Sequence, residues 1–349
     1  MILWLSAGTF LFSLVLTGLV RHYAGRARMI DHPNQRSSHQ IPTPRGGGLA
    51  IIVSCCLVSL VLPGGGQLGD RLWLPLVLSG LPVALVGFVD DRGGLSARLR
   101  LAVHFGAAVL ALALIGPLPA LPIGELVWQP AGWPAAAAFV VILVWLINLN
   151  NFMDGIDGLA AMEAIFVCGG AALILLDRHD PLFGRPLLLA GASAGFLVWN
   201  WPPARIFMGD AGSGFLGLAI GILALTTSAT GAISLWSWLI LYAVFLVDAT
   251  VTLLRRIVGG EKWYQAHRCH AYQILARRWQ SHRAVTLTVL AINLCWLLPL
   301  AFFAARVPEY AIISLFVSVA PLVCGAVLVG AGKREGASEL KAPGGDELC

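Results

Sequence analysis

Apolar stretches near the roughly 20 residues that a membrane span needs, some of them nearer 15–18 and starting inside the headgroup layer, recur from one end of this 349-residue chain to the other. They lie near residues 1–20, 46–63, 73–89, 99–117, 134–150, 158–176, 187–201, 212–231, 232–254, 284–305 and 310–331. None alternates apolar with polar residues, as a strand of a lipid-facing barrel must, so helices are the spanning form that fits. The composition agrees: 58% of the residues are hydrophobic and 12% are charged, where a soluble domain carries about 25% charged residues. The predicted fold class is all-α, a polytopic membrane protein with about 11 transmembrane helices.

Charge sets the expected orientation. If the spans alternate from an outside N-terminus, segments 21–45, 90–98, 148–158, 202–211, 255–283 and 332–349 face the cytoplasm, and the C-terminus is cytoplasmic. Of the 23 Lys and Arg residues, all but Arg71, Arg178, Arg185 and Arg306 fall in or beside those segments, as the positive-inside rule requires. Residues 1–20 lack a basic leader, and Arg21, Arg26 and Arg28 follow them; this reads as a retained span rather than a cleaved signal. The net charge of +5 then reports topology. No separate soluble domain carries the basic residues, so nucleic acid is not an expected partner. Residues 1–331 are expected to form one integral-membrane catalytic domain, and 332–349 a polar, Gly-rich, disordered cytoplasmic tail. The seven Cys are odd in number, lie mostly in spans and contain no C-x-x-C pattern, so free thiols are expected.

The chemistry gathers in five of the inner segments. DHPNQRSSHQIPTPRGGG, Asp31 to Gly48, holds Asp31, Arg36, Arg45 and a Gly triplet. It reads either as an ordinary basic loop or as a phosphate patch, for which the guanidinium fork is suited. FVDDRGGLSARLR ends a span with Asp90 and Asp91, which repel each other and gain from a cation; a helix C-terminus disfavours anions. NLNNFMDGIDGLA follows the run AAAAFVVILVWLI. If the helix continues, Asn148, Asn151, Asp154 and Asp157 are spaced by three and share a face, either as a satisfied interhelical cluster or as a ligand site. RIFMGDAGSGFLG places Asp210 between glycines before the next span, as an N-cap or as a ligand for a hard cation. RRIVGGEKWYQAHRCHAYQILARRWQSHR brings His267, Arg268 and His270. Their spacing is too tight for an ordinary zinc site, and a cationic loop over phosphates is the better functional reading. Asp248 lies inside a span and is expected to be paired.

Acids that favour Mg²⁺ or Mn²⁺, basic loops and a lipid setting together suggest phosphoryl transfer between a soluble diphosphate and a lipid acceptor. The acids alone do not say which. The five segments, in their order from about residue 31 to 275, resemble those of the polyprenyl-phosphate N-acetylhexosamine-1-phosphate transferases, glycosyltransferase family 4. The N-x-x-N-x-x-D-G-x-D-G and M-G-D-x-G-S strings carry most of the likeness. The resemblance implies that undecaprenyl phosphate attacks the sugar-side phosphorus of a UDP-N-acetylhexosamine, with UMP leaving and the product staying in the bilayer. It implies Mg²⁺ or Mn²⁺ at Asp210 with Asn151, and Asp90 and Asp91 as the catalytic acid pair. Asp154 and Asp157 match residues of the nucleotide and catalytic region, and His267, Arg268 and His270 match a loop that contacts the sugar nucleotide. Asp31, Arg36, Arg45 and Asn148 complete the expected substrate-binding set. The setting is the bacterial plasma (inner) membrane with the active site on its cytoplasmic face, and a homodimer is left open.

A direct in-line displacement is expected, because a phosphate monoester, with a second pKa near ~6, is already mostly a dianion at neutral pH. A covalent aspartyl-phosphate is the alternative. The chain departs from the family in two places: Arg36-Ser37 stands where Arg-Lys is frequent, and H-R-C-H has two His where many members have three. The first departure leaves the lipid-phosphate contact to Arg36 and Arg45; the second argues for the branch that starts O-antigen or related surface polysaccharide over the phospho-MurNAc-pentapeptide branch. The competing class is a cation-coupled transporter, which should show paired halves and charges at mid-membrane; neither is visible. An intramembrane aspartyl protease and a CDP-alcohol phosphotransferase both fail on the placement of their acids.

Overall fold

The structure is a computed structural model that describes residues 1–27, 29–31, 41–61, 73–261 and 267–333. Each of the eleven apolar runs carries helix. The first half of the chain holds α1 (Ile2–Arg26), α2 (Gly48–Val61), α3 (Trp73–Gly93), α4 (Ala97–Ile115), α5 (Gly132–Met153) and α6 (Leu159–Asp177). The second holds α7 (Gly184–Asn200), α8 (Asp210–Ala229), α9 (Leu235–Leu241), α10 (Ala243–Val258), α11 (Ala271–Trp279), α12 (His282–Ile292), α13 (Leu298–Arg306) and α14 (Ala311–Val329). A π turn, Asn293–Leu297, joins α12 to α13 as one span.

Among the described residues nine helices are long and apolar enough to cross a membrane, and ten if α9 and α10, bent by 76° at their junction, make one. α2 is the short member of the set. The all-α expectation is amended by two small antiparallel strand pairs. β1 (Ile30–Asp31) pairs with β2 (Thr43–Pro44), and β3 (Leu121–Ile123) with β4 (Leu126–Trp128). The second pair lies in the Pro-rich loop after α4 and is tied down by Trp236 Nε1, which donates to the Pro122 carbonyl at 2.7 Å.

α8 is the axis of the bundle. Its membrane-length stretch is wholly buried inside the protein, whereas only 17% of the corresponding stretch is buried in α1 and in α14. A helix apolar all round needs neighbours on every side, and α2, α3 and α5 pack against it. Small residues let them approach at the end where Asp210 lies. A Cβ on Gly48 would fall on Gly212, and one on Gly87 on the Ala211 backbone. α2 and α3 are thereby held at backbone distance from the first turn of α8.

Candidate active site

Asp90 and Asp91 lie in the last turn of α3 and do different things. The Asp90 carboxylate closes the turn into α4: it accepts from the Leu95 N–H at 2.5 Å, and from Arg100 of α4's first turn. The same Arg100 Nη1 lies 3.3 Å from Asp210 Oδ2, so one guanidinium bridges two acids. Ser96 starts α4 by accepting from the Leu99 N–H at 3.3 Å, which aims Arg100 back toward α3.

Asp91 points the other way, onto the N-terminus of α8. It accepts from the Asp210 N–H at 3.1 Å and lies 3.4 Å from the Ala211 N–H. An open helix N-terminus attracts an anion through its free N–H groups and its dipole, and here α3 supplies that anion. The cap therefore comes from Asp91, not from Asp210 itself. Gly209, at φ 78°, makes the approach possible, since a Cβ there would collide with the Asp91 carboxylate.

Arg45, just after β2, bonds Asp31 Oδ2 at 2.7 Å and stands 3.7 Å from Asp91 Oδ1. Burial alone would lower its pKa, but the Asp31 bond and the neighbouring carboxylates outweigh that and hold the charge more firmly than usual. Arg36 lies outside the described residues.

α5 does not continue through the D-G-x-D-G string. It ends at Met153, with Asp154 as the cap at φ −90°, ψ 38°, and Gly158 turns at φ 78° into α6. The expected single polar face of Asn148, Asn151, Asp154 and Asp157 therefore breaks up. Asn148 bonds the Val144 carbonyl at 2.7 Å and meets His104 of α4 at 3.4 Å. Asn151 donates to Ser213 Oγ at 3.2 Å and lies beside Asp210. Asp157 turns toward the loop before α8, accepting from the Ala204 N–H at 3.0 Å, and lies 3.3 Å from His282 Nδ1. Asp154 stays with the cluster. Burial, then the nearby Asp210 and Asp91 carboxylates, push its carboxyl well above the usual carboxylate range.

The late loop docks on the end of α5. The Tyr272 hydroxyl donates to the Phe152 carbonyl at 2.8 Å, and a Cβ on Gly155 would run into it. The His267 and His270 rings lie 4.9 Å apart, and His270 stacks on Phe152 at 6.3 Å. The Arg268 carbonyl accepts from Arg277 at 2.9 Å. Asp248 organises this loop. It accepts from the Ala271 and Tyr272 N–H groups at 2.8 and 3.0 Å, so it caps α11, and lies 3.3 Å from His270 Nδ1.

Two cavities meet at Arg45 and Met29. One, of about 520 Å³, is lined by Asp31, Arg45, Asp91 and Arg92, with Ala27, Met29 and Ile30. The other, of about 240 Å³, is apolar, lined by Leu19, Tyr23, Leu49 and Phe88 among others. Arg92 lies over the Phe88 ring at 4.3 Å.

The donor chemistry suits a hard divalent cation in one specific way. Among the described residues no three His, Cys, Asp or Glu side chains converge to hold an ion unaided. Mg²⁺ is usually bound by one or two carboxylates together with substrate phosphates, and Asp210, Asn151 and Asp154 are suited to that partial set. Reading the sequence for acids passed over Arg100, Tyr272 and His282. Arg100 was the findable one, since a cation one turn past a Ser N-cap, ten residues after an acid pair, can fold back onto it.

The glycosyl transferase family 4 profile matches residues 73–228, from α3 into α8. A decaprenyl-phosphate N-acetylglucosaminephosphotransferase of Mycolicibacterium smegmatis is 33% identical over 323 residues, covering 83% of this chain and 78% of the relative. A probable undecaprenyl-phosphate N-acetylglucosaminyl 1-phosphate transferase of Bacillus subtilis is 29% identical over 285 residues, covering 80% and 78%. A phospho-N-acetylmuramoyl-pentapeptide-transferase of Synechococcus is 33% identical over 279 residues, covering 72% of each chain.

Proposed function

Because the chain belongs to glycosyl transferase family 4, we propose that it moves an N-acetylhexosamine 1-phosphate from a UDP-sugar onto undecaprenyl phosphate, releasing UMP. It is a polyprenyl-phosphate hexosamine-1-phosphate transferase; the UDP donor, the choice of hexosamine and the undecaprenyl carrier are the proposed part. The observation that carries this reading is the junction of a polar and an apolar cavity at Arg45, beside Asp91. An amphiphile with a phosphate head and a prenyl tail matches both.

In this reading Arg45 and Arg92 hold the acceptor phosphate, and Leu19, Tyr23, Leu49 and Phe88 line the start of its tail. Asp91 lines the cavity beside Arg45, while Asp90, held by Arg100 and the Leu95 N–H, orients Arg100 for the reacting phosphates. Most of the acceptor is already a dianion at neutral pH, so its attack needs positioning more than a base. Asp210, Asn151 and Asp154 would hold Mg²⁺ or Mn²⁺, which supplies charge neutralisation for the diphosphate. His267, Arg268 and His270 cover the sugar nucleotide, and Arg100 draws negative charge toward Asp210. Asn148 and Asp157 support the end of α5 from either side. A direct displacement fits this arrangement better than a covalent intermediate, because Asp91 is occupied as the cap of α8 and Asp90 by Arg100.

The two-His loop favours a role at the start of O-antigen or related surface polysaccharide, on the cytoplasmic face of a bacterial inner membrane. The test uses membranes holding the wild type or Asp210→Ala, undecaprenyl phosphate, Mg²⁺ and a panel of labelled UDP-N-acetylhexosamines. Label in the lipid phase from one sugar, with matching UMP release and none from the mutant, is the expected result. No transfer from any sugar by folded protein, beside a working relative, would overturn it.

A further inference from the structure

Tyr242 stands at the junction of α9 and α10, where the helix axis turns by 76°. Its side chain is buried, and its hydroxyl is bonded to the Asn150 amide of α5. A Cβ on Gly217 of α8 would press on that same amide, so Asn150 is closed in from α8 as well. A phenol and an amide buried this deeply are costly unless they satisfy each other. Neither touches the acid cluster, yet Asn150 is the residue before Asn151.

The bond belongs to a closed circuit. From Tyr242, α10 runs six residues, about 9 Å, to Asp248. Asp248 grips the start of α11 through the Ala271 and Tyr272 N–H groups. Tyr272 then returns its hydroxyl to the Phe152 carbonyl at 2.8 Å. The circuit leaves α5 at Asn150 and rejoins it at Phe152, with Asn151 between. One contact alone would let α10 and the late loop swing about it. Two contacts on the same helical turn fix the direction, and the first sits at the bend, where a broken helix is otherwise a hinge.

The geometry points to Tyr242 as a positioning residue that sets where the His267–His270 loop stands against Asn151 and Asp210. This rests on the transferase reading, in which the loop covers the donor while the acids hold its diphosphate. Ground-state binding can use either wall alone, but the displacement needs both in register. Removing the hydroxyl should therefore act on turnover more than on binding.

The test compares full-length, purified Tyr242→Phe, Asn150→Ala, the double variant and a control, Thr227→Val. The control removes another buried bond close by, between α9 and α8, Trp238 Nε1 to Thr227 Oγ1 at 2.9 Å, which is outside the circuit. Tyr242→Phe should lower kcat about tenfold while the donor KM moves less than about threefold, a misplacement effect. Thr227→Val should leave both unchanged, and the double variant should be no worse than Asn150→Ala. An unaltered kcat in Tyr242→Phe, an equal loss in Thr227→Val, or losses that multiply in the double variant would each overturn the inference. Hydrogen exchange gives a reading independent of substrate. Tyr242→Phe should speed exchange in residues 243–252 and 267–272 while α8 keeps its protection. Unchanged exchange there defeats the positioning role even if transfer is confirmed. Its expected pattern in a protein that transfers no sugar would leave the circuit standing and remove the activity.

Discussion

Asp210 and Asp248 are both acids on helices of the bundle, at the two ends of the same site, and their surroundings are opposite. The carboxylate of Asp248 accepts from two backbone N–H groups and from Thr252, with His270 beside it. Asp210 has Asp90, Asp91 and Asp154 around it, with Arg100 reaching it at 3.3 Å. An acid whose lone pairs are taken builds structure, as Asp248 does in starting α11. Acids that crowd one another destabilise the fold until something positive joins them. Exposure differs too, with the Asp210 side chain 33% exposed and that of Asp248 7%, but the partners decide the role.

The sharpest way to break this comparison is Asp210→Ala. It should lower transfer by about 10³-fold or more without lowering the melting temperature, because it removes a mutual repulsion. A variant that keeps transfer and melts early would reverse the two roles. Asp248→Ala should show the converse and cost about 3 kcal/mol of stability through lost charge-assisted bonds and a lost cap, read from unfolding in detergent. An undisturbed melt would mean that Asp248 is not structural. Arg45→Ala should raise the KM for the lipid acceptor about tenfold and leave the donor KM in place, as measured by varying each substrate in turn. Equal effects on both substrates would take Arg45 away from the acceptor.

The smallest effect sharpens the contrast. The folded-state pKa of Asp154 is raised, so the folded protein holds its proton more tightly than the unfolded chain does. Its ionisation therefore takes stability away as pH rises from the unfolded value near ~3.9. In chelator at pH 8, Asp154→Asn should melt higher than the wild type by about 2 °C, and the gain should vanish toward pH 4. Equal melting at pH 8 would mean that Asp154 is not under strain from its neighbours.

Much of this was legible in the sequence. Eleven apolar runs marked the helices, and runs of that length leave few alternatives to α-structure in lipid. The acids and basic loops were legible because such groups are rare beside apolar spans. What was hidden depended on pairing across distant segments. Nothing local says that Asp91 caps a helix beginning 119 residues later, or that Arg100 bridges Asp90 and Asp210. The even spacing in NLNNFMDGIDGLA suggested one helical face, but α5 stops at Met153 and Gly158 adopts a positive φ, so Asn148 and Asp157 leave in different directions. The bend at Tyr242 was equally silent, since the run from 232 to 254 has no Gly or Pro to mark it. The Arg36 contribution falls outside the described residues.

The burial of α8 has a consequence for how the protein meets membranes of different thickness. Hydrophobic mismatch tilts and shifts the helices that touch lipid, at fractions of a kcal/mol per ångström. Here the most exposed of those are α1 and α14, while the helix that begins at Asp210 is enclosed on every side. Stretching or thinning the bilayer therefore deforms the outer shell first and reaches Asp210, on the enclosed helix, last. α1 also walls the apolar cavity through Leu19 and Tyr23, so acceptor affinity is where lipid chain length should register, with turnover insulated from it.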